Sequence, residues 1–444
     1  MRATQPLLPT LTQDLAQLRR RLAQLDTPRL ARQSGFLQRS PRKIPIPDLL
    51  LALVALASEA FLSLERIATV IGLAAGTAYS KQALHKRLRP QIEGFLAQVA
   101  VALFGPLVSP LRAQGHLAPF RRLLVQDSTV QGLPEHLAHA FPGGRNQCPQ
   151  QRAALKIQWT CDLLHGSLVQ LSLSGFTRND QAAAQDILAV AQPGDLVLRD
   201  LGYFSLSVLA QLAGRGVYFL SRFRHGLLLR EPGGEKPLDL VRRLRQAGRW
   251  DGEVLVGNQK LPLRLVALPV PEEVANQRRQ RAKTCRDRRS APSSQRLDLL
   301  GWNIFLTNVP RSLWPAKVLA QVYRLRWRVE MVFKAWKSHL GLRQLNCRTA
   351  ELLRLSIMTK LLFCILTCRC CDRLETLCPG SRQISLLRLA RILGQASCWI
   401  SAAILHLSPQ ALLEHFLARH VFYERRQDRQ NFYQRLALLT AALG

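Results

Sequence analysis

Between Arg121 and Phe223 the chain is written in short apolar runs separated by turn signals, and two of those runs end on carboxylates. LLVQD (Leu123–Asp127) and DLVLRD (Asp195–Asp200) have the apolar texture of buried strands. Between them LKIQWTCDLLHGSLVQLSLSGF alternates like a hairpin, with its turn near His165–Gly166–Ser167. Ala182–Ala191 reads as a helix, Ser205–Leu212 as another, and VYFLSRF as a strand. Strand, hairpin, helix, strand, helix, strand is the order of a mixed α/β sheet with helices packed on it.

The flanks have a different texture. The first ~115 residues carry apolar positions at three- and four-residue spacing in Leu11–Leu25 and Leu49–Leu64, a helical period. Leu64 to Pro90 reads as two short helices around a turn at Gly72–Gly76. The second starts after Ser80 as N-cap and runs into Lys86, Arg87 and Arg89. A helix-turn-helix that reads a major groove and an ordinary helical hairpin share that pattern. Residues from about 224 to 300 interrupt the α/β rhythm with Pro232–Gly233–Gly234, EVLVG, LPLRLVALPV and a basic run from Arg278 to Arg289, which predicts a β-rich insertion with a basic loop. The strand WNIFLTNV (Trp302–Val309) follows, a long helix starts near Trp314–Pro315, and the rest to Gly444 reads as helical.

Charge narrows the partner. The 62 Lys+Arg against 29 Asp+Glu leave a formal net charge of +33, far more than a solvated face needs, so a polyanion, most often nucleic acid, is expected. The 48% hydrophobic content supplies real cores, which excludes general disorder. The best apolar run, Leu49 to Ser58, is cut by Glu59, well short of the ~18–20 residues a membrane span requires. No secretory signal is visible in the opening residues, and the ten cysteines fall at irregular spacings, so reduced thiols inside the cell are expected. The cluster Cys364–Cys378 lacks the paired CxxC or His spacing of a zinc site, and GGEK (Gly233–Lys236) is not a phosphate-binding loop.

In so basic a chain each carboxylate at the end of an apolar strand is worth weighing. Asp127 or Asp200 alone is also what a turn or helix cap uses. If their strands are neighbours, however, the two acids emerge together and repel unless a cation bridges them, and Mg²⁺ or Mn²⁺ prefers oxygen ligands. A third acid comes from QVYRLRWRVEMVFKAWKSHL. On one continuous helix Tyr323, Arg326, Glu330 and Lys337 project within roughly 60° of one another over about 21 Å. Leu325, Val329, Val332 and Trp336 form a separate stripe suited to packing on a sheet. Arg326 and Glu330 are also i,i+4 partners, so plain ion pairing would account for them as well.

The pattern Tyr323, Arg326, Glu330, Lys337 resembles the YREK signature of insertion-sequence DDE transposases of the IS-four family. VQDST (Val125–Thr129), DLGYFS (Asp200–Ser205) and FLTNVP (Phe305–Pro310) resemble that family's other blocks in the expected order, over about residues 120–345. The resemblance implies an α/β ribonuclease-H-like catalytic core at 119–345, with the β-rich insertion at about 224–300. A helical DNA-binding and end-recognition domain at 1–118 and a helical C-terminal domain at 346–444, for dimerisation or DNA contacts, would flank it. It implies a catalytic and metal-holding triad of Asp127, Asp200 and Glu330 with two Mg²⁺ ions, Mn²⁺ able to substitute. Tyr323, Arg326 and Lys337 would hold DNA phosphates, and Trp302 is a candidate to stack an extruded base, against the ordinary alternative of a core or interface Trp.

The implied activity is cleavage at terminal inverted repeats and joining of the 3′ ends to target DNA, by a homodimer in a synaptic complex on double-stranded DNA. The implied setting is the cytoplasm, at the nucleoid. Two rivals share these residues: a metal-dependent nuclease without strand transfer, and a non-catalytic DNA-binding regulator derived from a transposase. A basic RNA-binding protein is the generic third, without an RNP-type aromatic motif to support it.

Overall fold

The structure is a computed structural model that describes residue 20, residues 24–38, 44–57, 59, 62–88, 90–103, 115–144, 152–284, 291–339, 347, 349–377, 386–395, 397–405 and 408. Its centre is one nine-stranded mixed sheet in the order β3-β2-β1-β4-β5-β9-β8-β7-β6. The core strands are β1 (Leu123–Leu133), β2 (Ala153–Asp162), β3 (Ser167–Gly175), β4 (Leu196–Arg199) and β5 (Tyr218–Arg222). The first three form an antiparallel meander, with Asp127 opposite Trp159. β4 runs parallel to β1 with Val125 opposite Leu198, and β5 runs parallel to β4. This is the mixed α/β layout expected from the order of runs.

After β5 the chain makes β6 (Leu229–Arg230), β7 (Trp250–Val256) and β8 (Leu261–Pro269), and returns through β9 (Trp302–Thr307). β9 pairs antiparallel with both β5 and β8, so these strands extend the core sheet. Arg264 on β8 ties them down: it ion-pairs with Asp251 at 2.7 Å and donates to the carbonyls of Trp314 and Val309 at 2.8 and 3.2 Å. The basic run departs from the expected loop. Arg278, Arg279, Arg281 and Lys283 lie on a helix, Glu272–Thr284, while Arg286, Arg288 and Arg289 lie outside the described residues. Glu272 and Glu273 in its first turn and Arg281 and Lys283 in its last complement the helix dipole, which a count of charges alone overlooks.

Side-chain alternation sends successive strand residues to opposite faces. Leu123, Val125, Leu196 and Leu198 enter one apolar core; Leu124, Val197, Phe219 and Leu265 enter a second on the other face. The first core also takes in the described helices of both ends of the chain, among them Ile46–Ala55, Ile92–Leu103 and Ala350–Leu377. Glu93 accepts from the backbone N–H of Leu173 on edge strand β3 and ion-pairs with Arg354, so one carboxylate joins an N-terminal helix, the sheet edge and a C-terminal helix.

The predicted pair of helices around Gly72–Gly76 is present as Leu64–Ala75 and Lys81–His85. Gly76 takes a left-handed φ of 67° at the C-cap, and the Ser80 hydroxyl accepts from the N–H of Ala83. The second helix has only five residues. The expected helix at Ala182–Ala191 is a 3₁₀ helix, Ala182–Ala189. The periodic segment Leu11–Leu25 is described only at residues 20, 24 and 25, and the described side chains of the cysteine cluster are those of Cys364 and Cys368, both buried. No helix among the described residues is long and apolar enough to cross a membrane.

Candidate active site

Asp127 has the strand parity of Leu123 and Val125, and Asp200 that of Leu196 and Leu198, so both acids leave the sheet on the same face. Their strands are parallel neighbours, and Asp200 follows β4 directly. The third acid comes from above that face. The segment expected as one helix is two, α1 (Ala316–Arg324) and α2 (Trp327–His339), joined at Leu325–Arg326. Across the joint the bonds are of the tighter i→i−3 kind: Arg326 N–H to Tyr323 O, Arg328 N–H to Leu325 O, and Val329 N–H to Arg326 O. The packing stripe is as expected in α2, with Val329, Val332 and Trp336 buried. Trp336 and Phe333 close on Trp159 of β2 at ring centroid distances of 4.9 and 4.8 Å, which fixes α2 on the strand beside β1.

The result is that three carboxylates from three elements converge on one guanidinium. Arg326 reaches Asp127 Oδ2 at 3.5 Å, Asp200 Oδ1 at 4.0 Å and Glu330 Oε1 at 2.5 Å. Arg326 is 8% exposed. Burial works against its charge, but Asp200, Tyr323, Asp127 and Glu330 together outweigh that and hold its pKa above the usual arginine value. Burial pushes Asp127 up to about 6, with the nearby acids adding to the rise and the Ser128 N–H and Arg326 opposing it. The hydroxyl of Tyr323 is turned to the Arg199 carbonyl at 3.3 Å and Asp200 Oδ1 at 3.5 Å. Burial, with Asp200 beside it, raises that phenol to about 12.

The donor set is oxygen-only and converges on a single cation, the chemistry that suits a hard divalent ion. Among the described residues no group of three or more His, Cys, Asp or Glu side chains is close enough to hold such an ion by itself. The Arg326 guanidinium is the cation that the three acids share.

The site opens onto a cleft of about 1110 Å³ lined by Asp200, Tyr323, Arg222, Arg224, Arg281 and Trp302, among others. Trp302 is half-buried at its wall, and its carbonyl accepts from Arg278 at 3.3 Å. Trp327, given no role from sequence, also lines the cleft and is 59% exposed. Lys337 lies half-buried on α2, about 10 Å along the axis from Glu330. So Asp127, Asp200, Glu330, Arg326 and Tyr323 come together, Trp302 stands at the wall of the adjoining cleft, and Lys337 sits further along the helix.

Three polar residues beside the acids, Asp180, Ser128 and Lys156, have no role in the sequence reading. Asp180 Oδ1 accepts from the Ser128 hydroxyl at 2.7 Å and pairs with Lys156 Nζ at 2.7 Å. Asp180 follows β3 in TRND, which reads as an ordinary turn; the scarcity of acids in the chain was the one available signal.

Known proteins resemble this chain over most of its length. Residues 118–367 match the family described as the transposase DDE domain. The chain is 31% identical over 340 residues to the transposase for insertion sequence element IS231D of Bacillus thuringiensis subsp. finitimus, covering 71% of this chain and 70% of that protein. It is 28% identical over 348 residues to the transposase for IS231F of Bacillus thuringiensis subsp. israelensis, covering 72% of each. It is 24% identical over 342 residues to the transposase for IS1151 of Clostridium perfringens, again covering 72% of each.

Proposed function

The chain belongs to the insertion-sequence DDE transposases, and on that footing we propose that it cleaves DNA at the terminal inverted repeats of an insertion sequence and joins the 3′ ends to target DNA. The observation that carries this reading is the convergence of Asp127, Asp200 and Glu330, from β1, the end of β4 and α2, on one cationic centre. The order of β1 to β5 and the return of β9 beside β5 support a ribonuclease-H-like core with an insertion. Residues 1–118 would recognise the ends, and residues 346–444 would dimerise or add DNA contacts.

In the first step a water oxygen attacks phosphorus, the P–O3′ bond breaks, and a 3′-hydroxyl and a 5′-phosphate remain. In the second, that 3′-oxygen attacks a target phosphate and a target 3′-hydroxyl leaves. Asp127, Asp200 and Glu330 would hold Mg²⁺, or Mn²⁺ in its place. Bound there, two such ions would activate the nucleophile and stabilise the departing oxygen. Arg326 and Lys337 take phosphates flanking the scissile bond, with Arg326 leaving the acids to do so. Tyr323 keeps Asp200 aligned through its hydroxyl, while Trp302 offers an aromatic face in the cleft to a base out of the stack. Pairing two ends requires two protomers, so the working unit is a homodimer on double-stranded DNA.

The test incubates the purified chain with duplexes carrying the ends that flank its own gene, in Mg²⁺ and then in EDTA, beside Glu330→Ala. The expected result is metal-dependent nicking at the element boundary, followed by joined products, with both lost in the variant. Nicking without joining would favour a nuclease. Specific binding with no cleavage in Mg²⁺, or in Mn²⁺ put in its place, would reduce the three acids to structure.

A further inference from the structure

Asp180 is not one of the three acids, yet it bonds to the side chain next to one and lies against the turn that follows another. Its Oδ1 accepts from the Ser128 hydroxyl at 2.7 Å. The backbone N–H of Ser128 donates to Asp127 Oδ1 at 2.8 Å, so one oxygen of Asp127 is committed and Oδ2 faces the centre, where Arg326 lies at 3.5 Å. On its other side Asp180 packs against the turn after Asp200. A Cβ at Gly202 would stand 3.1 Å from Asp180 Oδ2 and 3.3 Å from its Cβ, so a side chain there could be admitted only by moving Asp180. Lys156, 5% exposed on β2, reaches Asp180 at 2.7 Å and balances its charge. One carboxylate therefore links the middle of β1 to the turn after β4, the two strands whose acids must be level.

We infer that Asp180 is a positioning residue for the phosphoryl-transfer site, acting through Ser128 on Asp127 and through Gly202 on Asp200, so that both acids present an oxygen to a divalent cation. The inference rests on reading Asp127 and Asp200 as the acids that hold it. Residues that orient ligating groups typically alter metal affinity by about 10- to 100-fold when lost.

The test separates hydrogen bonding from charge balance. Ser128→Ala removes the donor and leaves the Lys156–Asp180 pair intact. Asp180→Asn with Lys156→Gln neutralises both partners but keeps an acceptor for Ser128. Asp180→Ala with Lys156→Met neutralises both and removes it. For each full-length variant, thermal unfolding is measured first. Mn²⁺ is then titrated while the resonance of the free ion is followed, and the Mg²⁺ concentration for half-maximal end cleavage is determined. Ser128→Ala and the Ala/Met pair should unfold near the wild-type temperature and bind Mn²⁺ at least about tenfold more weakly, with a matching rise in the Mg²⁺ requirement and a smaller change in maximal rate. The Asn/Gln pair should bind as the wild type does.

Wild-type affinity in Ser128→Ala, or equal impairment of both double variants, would overturn the inference and leave Asp180 a structural ion-pair partner. Asp127→Asn is the control for the underlying reading. If it keeps cleavage and Mn²⁺ binding, the triad is wrong; if it loses both while Ser128→Ala is normal, only the role of Asp180 is.

Discussion

Asp127 shows how a single residue can be costly to the fold and central to the proposed site. Burial pushes its carboxyl up to about 6 from an ordinary 3.8. An acid whose pKa is higher folded than unfolded binds its proton more tightly in the native state. The penalty for ionising it is therefore absent below about pH 4, grows between about 4 and 6, and is complete above 6. At 1.36 kcal/mol per unit, that penalty is on the order of 2–3 kcal/mol. Asp127→Asn should thus be the more stable protein in metal-free buffer at pH 8 by roughly that amount, with the advantage gone at pH 4. Urea unfolding of both proteins at the two pH values decides it, and an advantage independent of pH would contradict the cause. The position of this acid was legible because an apolar run ended on it in a chain poor in acids. The direction of Tyr323 was not. The resemblance implied that its hydroxyl holds a phosphate; that it also reaches Asp200 and the Arg199 carbonyl is set by strand and helix meeting in space.

Among the elements, α2 bears most on the proposed chemistry, because it carries Glu330 and is held to the sheet by Trp336 and Phe333 against Trp159. Trp336→Ala removes the centre of that contact and should cost about 3–5 kcal/mol of stability, as large core truncations do. Equilibrium denaturation would show it as a lower midpoint with an unchanged slope. A loss under 1 kcal/mol would mean that something else seats the helix. The stripe of Val329, Val332 and Trp336 was readable from helical spacing. The joint at Leu325–Arg326 was not, since leucine and arginine are good helix formers and no Gly or Pro marks it. The joint falls at Arg326, the residue whose guanidinium reaches three acids on three different elements. The helix of Glu272–Thr284 escaped the sequence reading for a related reason, because a run of arginines looks like a solvated loop until its acidic first turn is counted with it.

For the whole molecule the excess of 33 positive charges dictates how it meets DNA. If it covers about six to ten phosphates, affinity for end DNA should fall about 10³- to 10⁵-fold between 50 and 200 mM salt. Fluorescence anisotropy across that range measures the slope, and a flat response would remove phosphate contacts as the source of binding. The mixed sheet was foreseeable from the order of runs. Its extension to nine strands was not, because only the fold shows β9 inserting between β5 and β8. That pairing makes the outer strands and the core one cooperative body, so native-state hydrogen exchange of β7 to β9 should track that of β1 and β4. The same pairing has a mechanical side. Arg222 on β5 and Trp302 on β9, in the wall of the cleft, and the acids of β1 and of the end of β4 are spaced by one continuous ladder of hydrogen bonds. A one-residue slip of β9 on β5 would turn Trp302 to the opposite face of the sheet and leave the acids where they are.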